Sequence, residues 1–197
     1  MANSLRRLFL IAFVFCSASA KAVSVYMVTT GPLAVDNDTF LAVEGATYNI
    51  EIWMDFTADR TLGGGYDVVF NEGAFDFVEW ESAGLGEEVF ARTPEVFDGL
   101  LESAAVGDFN GLSGPDLMAT ATFVLTDLSV LTQFGSMTTA ATAGIGGPWV
   151  SAVDFICCQK VDFFGVDFVT PVPVPAAIWL FLGGLGWLFG LTRTQRD

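Results

Sequence analysis

Apolar and polar residues alternate in short runs between residues 21 and 170, and this pattern predicts β-strands. The clearest run is YNIEIWMDF at residues 48–56, in which Tyr48, Ile50, Ile52 and Met54 share one parity while Asn49, Glu51 and Asp55 share the other. Similar runs occur at residues 22–28, 66–70, 74–80, 117–126 and 137–142. About seven to nine strands separated by Gly, Pro and Asn turns predict an all-β, antiparallel β-sandwich, with a closed barrel as the alternative.

Three segments depart from the alternation. Residues 61–65 (TLGGG) are predicted to form a turn, and residues 106–115 are predicted to form a loop because of their Gly, Ser and Pro content. Residues 84–104 predict a short helix, with Thr93 as its N-cap and Pro94 in its first turn. The expected apolar face of this helix is Phe97, Leu100 and Leu101.

The two ends of the chain have membrane-directed patterns. Residues 1–20 predict a signal peptide, with Arg6 and Arg7 before an apolar core and Ala18-Ser19-Ala20 as the cleavage site, so export through the Sec translocon is expected. Residues 176–191 predict a transmembrane helix, and Arg193 and Arg196 behind it form a cytoplasmic stop. The predicted domains are therefore a signal peptide (1–20), a β-sandwich ectodomain (21–170) and a C-terminal tail (171–197).

Charge and composition exclude several functions. The chain carries a formal net charge of −15, and the ectodomain keeps only Lys21, Arg60, Arg92 and Lys160 as cations. Such a surface repels phosphate backbones, so no nucleic-acid partner is expected. The chain has no histidine, which removes His-based catalysis and imidazole metal ligands. We therefore expect no enzymatic activity, no catalytic residues and no cofactor.

Two tryptophans are candidates for a ligand platform. Trp53 and Trp80 both lie on the polar parity of their predicted strands, so both are expected to face outward. Outward aromatic rings can stack on sugars, which would make a polysaccharide a partner. The alternative is that a neighbouring loop covers one or both rings, since tryptophan is usually largely buried.

Two short acidic turns have the oxygen ligands that Ca²⁺ prefers. Asp36 and Asp38 flank Asn37, and Asp108 precedes Asn110 by two residues. Neither turn has the length or the closing glutamate of a complete calcium loop. Asx residues that cap their own turns explain both patterns equally well, and no other metal site is predicted.

Cys157 and Cys158 are the only cysteines left once the signal peptide is removed. In an oxidising compartment they have three options. They can remain thiols on opposite faces of a strand, form a disulfide with each other, or link to another molecule.

The tail resembles the PEP-CTERM sorting signal of Gram-negative bacteria, in the variant VPxPAAxWLF. The residues that match are Val172, Pro173, Val174, Pro175, Ala176, Ala177, Trp179, Leu180 and Phe181. This resemblance implies recognition and cleavage by an exosortase-type enzyme, after a transient stay in the inner membrane. The implied destination is the cell surface or the extracellular matrix. Val174 stands where the commoner motif has glutamate.

The ectodomain resembles cohesin-like β-sandwiches. The similarity lies in the order VEGATYNIEIWMDF, LGGGYDVVFNEGAFDFVEW and FNGLSGPDLMATATFVL. It implies a cohesin-like or jelly-roll sandwich and does not identify a partner. Two functions stay open, a structural component of the surface or matrix and a module that binds carbohydrate or protein.

Overall fold

The computed structural model describes residues 23–84, 89–140 and 147–170. The predicted signal peptide and the predicted tail, with its sorting motif and arginine stop, lie outside these residues. Within the described ranges no helix is long and apolar enough to cross a membrane. In chain order the strands are β1 (Ser24–Thr30), β2 (Ala34–Asp36), β3 (Thr39–Leu41), β4 (Thr47–Asp55), β5 (Thr61–Phe70), β6 (Phe75–Ser82), β7 (Phe90–Arg92), β8 (Glu95–Phe97), β9 (Leu100–Leu112), β10 (Asp116–Leu125), β11 (Gly135–Thr139), β12 (Val150–Ser151), β13 (Asp162–Phe164) and β14 (Asp167–Val169).

Two sheets enclose the core, and the predicted all-β sandwich is confirmed. The first has the order β13–β1–β4–β10–β6, and the second has the order β11–β5–β9–β7, with β12 on β5 and β8 on β9. A small third sheet has the order β14–β3–β2. Among the described strands, β1 with β13 and β3 with β14 are parallel, whereas the other pairs are antiparallel. The C-terminal strands β13 and β14 therefore add parallel pairs at the edges of sheets that are otherwise antiparallel.

Strand β4 shows how the alternation produces the core. Its residues Tyr48, Ile50, Ile52 and Met54 are buried. Each of them points toward the second sheet, because side chains of successive strand residues point to opposite faces. The largest fully buried side chains of the core are Trp149, Tyr66, Phe40, Phe56, Phe75, Phe123 and Phe134.

The prediction of a turn at residues 61–65 is wrong, because β5 runs straight through the three glycines. Gly64 lies against Trp149, where a Cβ atom would be 2.5 Å from Cδ2 of the indole. Gly63 lies against the backbone of Val106 and Gly107 on β9. Glycine inside a strand often marks such a close approach, and here it makes room for a buried tryptophan.

The predicted helix in residues 84–104 is also wrong. The described part of this segment forms β7, β8 and the start of β9. Phe97 pairs directly with Leu100, so Asp98 and Gly99 form a two-residue hairpin loop, with Gly99 at a φ of 72°. Asp-Gly is a strong hairpin signal, and it overrides the weak helical spacing of the apolar residues.

The loop predicted at residues 106–115 is mostly strand, since β9 extends to Leu112. On β5, Gly63 pairs with Gly107, but Thr61, two residues away, pairs with Leu112, five residues further along β9. Residues 108–111 therefore bulge out of the ladder. Gly111, one of the glycines that indicated a loop, belongs to this bulge, while Gly107 and Leu112 on either side stay paired.

The sandwich has two distinct ends. At one end β14 finishes, and the carbonyl of Val169 accepts a hydrogen bond from the amide of Ala42, just before β4 begins at Thr47. At the opposite end β4 finishes at Asp55 and β5 begins at Thr61. We call the first the tail end, because the described chain stops there at Thr170, and the second the distal end.

Candidate binding surfaces

Trp53 lies on the outer face of the five-stranded sheet, as predicted from its parity. It is half-buried, and its indole Nε1 donates a hydrogen bond of 2.9 Å to Oε2 of Glu51. Its direct cross-strand partners are Tyr26 on β1 and Leu117 on β10. The indole is therefore held by a carboxylate on its own strand and has an aromatic neighbour beside it.

Trp80 does not join this surface, and the prediction that it faces outward is wrong. On β6, Glu79 pairs with Thr122 and Phe77 pairs with Phe123, so Val78 is an extra residue that forms a β-bulge. The bulge reverses the parity of the residues after it. Trp80 consequently packs against the core, 6.3 Å from the ring of Tyr66. The two tryptophans lie on opposite faces of one sheet.

An open aromatic groove lies on the outer face of the second sheet, near the distal end. The ring of Phe90 covers Gly107, and Phe109 on the β9 bulge is 88% exposed. The two ring centroids are 6.1 Å apart, and the groove between them has a volume of about 790 Å³. Ala91, Arg92 and Thr93 complete its walls. We call this feature the distal groove. The sequence pattern does not indicate it, because Phe109 falls in the predicted loop and Phe90 falls in the segment at residues 84–104 in which a helix is predicted.

The distal end also carries an apolar loop at residues 152–158. Val153 and Phe155 are each 71% exposed, and Ile156 is 63% exposed. Backbone contacts fix its base, because the amide of Ala152 donates to the carbonyl of Arg60 at 2.8 Å. The triplet Val-Asp-Phe begins at residue 153 and again at residues 161 and 166, and its alternation predicts a strand, whereas residues 153–155 belong to this loop.

Cys157 and Cys158 end this loop and form a disulfide with each other. Both residues are exposed, and Cys158 has a positive φ of 70°. Of the three options left open by the sequence, the structure contains the bond between sequence neighbours.

The three calcium candidates, Asp36, Asp38 and Asp108, each accept a hydrogen bond from a residue one or two positions later. Asp36 Oδ1 accepts the amide of Asn37 at 2.8 Å, Asp38 Oδ1 accepts the hydroxyl of Thr39 at 3.1 Å, and Asp108 Oδ1 accepts the amide of Asn110 at 2.7 Å. Asp108 lies on β9, whereas Asp36 and Asp38 belong to the β2–β3 hairpin. Within residues 23–84, 89–140 and 147–170 no group of three or more His, Cys, Asp or Glu side chains is placed to hold a metal ion. The Asx-turn interpretation fits Asp108, whose carboxylate accepts the backbone amide two residues on, whereas Asp36 and Asp38 bond to the residue that follows each of them.

No protein-family model matches the sequence, and no curated protein matches it. Solved structures do match. A non-cellulosomal cohesin from the archaeon Archaeoglobus fulgidus is 12% identical, covers 77% of this chain and 92% of its own, and superposes with a TM-score of 0.52.

Two bacterial structures match over a similar part of the chain. CaCohA2 from Clostridium acetobutylicum is 11% identical, with coverage of 80% and 97% and a TM-score of 0.48. A cohesin module from a family 33 glycoside hydrolase of Clostridium perfringens is 13% identical, with coverage of 77% and 100% and a TM-score of 0.44. The similarity to the archaeal protein shows that the matched part of the chain has a cohesin-like β-sandwich fold.

Proposed function

We propose that this chain is an exported, non-catalytic surface protein whose β-sandwich is a binding module for a protein partner. In this proposal, the C-terminal tail delivers the module through an exosortase-type system. The observation that carries the proposal is the position of the distal groove, at the end of the sandwich opposite the one from which the tail continues. The absence of histidine supports a non-catalytic role.

The orientation follows from the topology. Only five residues separate Thr170 from Ala176, where the predicted membrane helix begins, so the tail end of the module lies next to the membrane until the tail is cut. The nine-residue strand β4 connects the two ends, and at about 3.3 Å per residue it spans about 30 Å. The distal groove is therefore presented away from the membrane.

The chemistry of the groove suits an apolar side chain of a protein partner. Two aromatic rings form its walls, and exposed aromatic residues are typical anchors of protein interfaces. Arg92, at the rim, forms a 2.9 Å ion pair with Glu95. Trp53 and Trp80 do not form such a surface together, because they lie on opposite faces of one sheet. We therefore assign partner binding to the distal groove.

Cleavage of the tail is tested by cell fractionation with intact-mass analysis of the protein from its native host. We expect the mature chain to lack residues 1–20 and the apolar part of the tail, and to be found at the surface or in the medium. Changing both Pro173 and Pro175 to alanine should hold the chain in the inner membrane, whereas Pro32→Ala in an exposed turn should not. Recovery of the intact tail on wild-type protein in the inner membrane would contradict the sorting proposal.

Partner binding at the distal groove is tested with a photo-crosslinking amino acid in the full-length chain in its native host. With the crosslinker at position 109 we expect one discrete crosslinked product. The matched control places it at Val130, which is 44% exposed and lies at the tail end, and should give none. If position 109 gives no product, or the same products as position 130, the groove is not a binding site.

A further inference from the structure

A second surface lies on the other sheet and is separate from the distal groove. On the outer face of the five-stranded sheet, Tyr26 pairs with Phe164 on one side and with Trp53 on the other, and Trp53 pairs with Leu117. These four residues lie side by side on four adjacent strands. At about 4.8 Å per strand the row is about 14 Å long. We call it the aromatic row.

The row is open to solvent at its outer end. Phe164 is 53% exposed, whereas Tyr26 and Trp53 are half-buried. Beside Tyr26 and Phe164 the sheet borders a groove of about 730 Å³, whose far wall is the β2–β3 hairpin at Asp36, Asn37 and Asp38. A ligand lying along the row would therefore meet aromatic rings beneath it and oxygen acceptors at its side.

Hydrogen-bonding side chains flank the row along the sheet. Thr120 pairs with Glu51 on one side and with Glu81 on the other, which gives a polar row next to the aromatic one. In the following row, Asn49 accepts a hydrogen bond of 3.2 Å from the hydroxyl of Thr122. Apart from Val28 of β1, which pairs with Glu51, the apolar part of this face is thus one residue wide, and this is much narrower than the core of a protein interface.

Charge indicates the kind of ligand. The five strands β13, β1, β4, β10 and β6 contain no lysine or arginine. Their outer face carries Glu51, Asp55, Glu79 and Glu81, and Asp55 helps to raise the pKa of Tyr26, after the larger effect of burial. Lys160 is a cation near this face, and its Nζ lies 4.0 Å from Oδ1 of Asp162 at the start of β13. An anionic glycan would be repelled, and a cationic one attracted.

We propose that the aromatic row binds a cationic, amino-sugar polysaccharide. The apolar faces of its sugar rings stack on Trp53, Tyr26 and Phe164, and its protonated amines pair with the carboxylates of Glu51, Asp36 and Asp38. This site is independent of the distal groove. The chain would then have two binding faces, one on each sheet.

The test is isothermal titration calorimetry of the full-length chain in an uncharged detergent. The probes are a glucosamine hexamer and its fully N-acetylated counterpart, which has the same rings but no charge. We expect the glucosamine hexamer to bind with a dissociation constant below about 1 mM and the acetylated hexamer to bind at least about tenfold more weakly. Raising the salt concentration should weaken the first and leave the second nearly unchanged.

Matched variants locate the binding. Trp53→Ala should weaken hexamer binding about tenfold, and Phe164→Ala, which removes an exposed ring, tests the same row if the first variant does not fold. Phe109→Ala, on the other sheet, should leave binding unchanged. The proposal fails if the glucosamine hexamer does not bind, if the acetylated hexamer binds equally well, or if Phe109→Ala weakens binding as much as Trp53→Ala. It also fails if a lysine-rich peptide binds the row more tightly than the hexamer, because the partner would then be a basic protein.

Discussion

Replacing Trp149 with alanine is expected to lower the free energy of unfolding by about 3–5 kcal/mol. Trp149 is fully buried and stacks on Phe56, with ring centroids 4.8 Å apart and planes at 24°. The side chain fills the space that Gly64 leaves open on β5. Its removal would leave a large cavity between β4, β5 and β12, and the surrounding sheets cannot collapse to fill it.

Urea unfolding of Trp149→Ala measures this loss. Gly64→Ala and Gly107→Ala form a matched pair, in which the first disturbs Trp149 and the second does not. Gly64→Ala should also be strongly destabilising, since its Cβ would lie 2.8 Å from the Cα of the buried Trp149. Gly107→Ala should cost little, because its Cβ would meet the ring of Phe90, which is 42% exposed and free to turn away. Trp149→Phe keeps an aromatic ring and should lose less than Trp149→Ala. A loss below about 1 kcal/mol for Trp149→Ala would show that the tryptophan does not support the core.

The importance of Trp149 could not be predicted from the alternation of residues. It follows the Gly-Pro stretch before β12, and that strand has only two residues, so the sequence around it has no strand period. The useful signal was elsewhere, in the three consecutive glycines of β5. Glycines within a strand indicate that another group approaches closely, but they do not say which group.

Strands with a complete alternation were predicted well. Residues 48–55 of β4 and residues 117–125 of β10 have their buried side chains on the predicted parity over most of their length. The face of Trp80 was predicted wrongly, because a single bulge residue, Val78, shifts the register and sequence periodicity alone does not show where a bulge occurs. The same limit applies to the bulge that exposes Phe109.

The two candidate surfaces could not be predicted, because each is formed by strands that pair although their residues are separated in the sequence. Phe164 and Tyr26 are far apart in sequence and become neighbours because β13 pairs in parallel with β1. Phe90 and Phe109 meet because β7 pairs with β9. A single sequence gives the parity of each residue within its strand, whereas the order of strands in the sheet determines which residues become neighbours.

High pH is expected to unfold the sandwich more readily, and Tyr66 is expected to contribute most of this sensitivity. Tyr66 is 2% exposed, and its burial raises the pKa of its phenol well above the ordinary value of 10.0. Burial also raises the pKa of Tyr48, partly offset by the hydrogen bond from the amide of Val43, and the pKa of Tyr26 is raised as well. Below pH 10 these phenols are neutral in both folded and unfolded chains, so they add no pH dependence.

Above pH 10 the unfolded chain releases protons that the folded chain retains, so stability is lost as the pH rises. The loss for Tyr66 is about 1.4 kcal/mol per pH unit until its folded pKa is reached, or about 3 kcal/mol at pH 12. Urea unfolding at a series of pH values measures this slope. Tyr66→Phe should remove most of it, whereas Tyr26→Phe, at a half-buried position, should remove much less. An unchanged slope in Tyr66→Phe would mean that other groups cause the alkaline unfolding, because phenylalanine at this position has no hydroxyl proton to release when the chain unfolds.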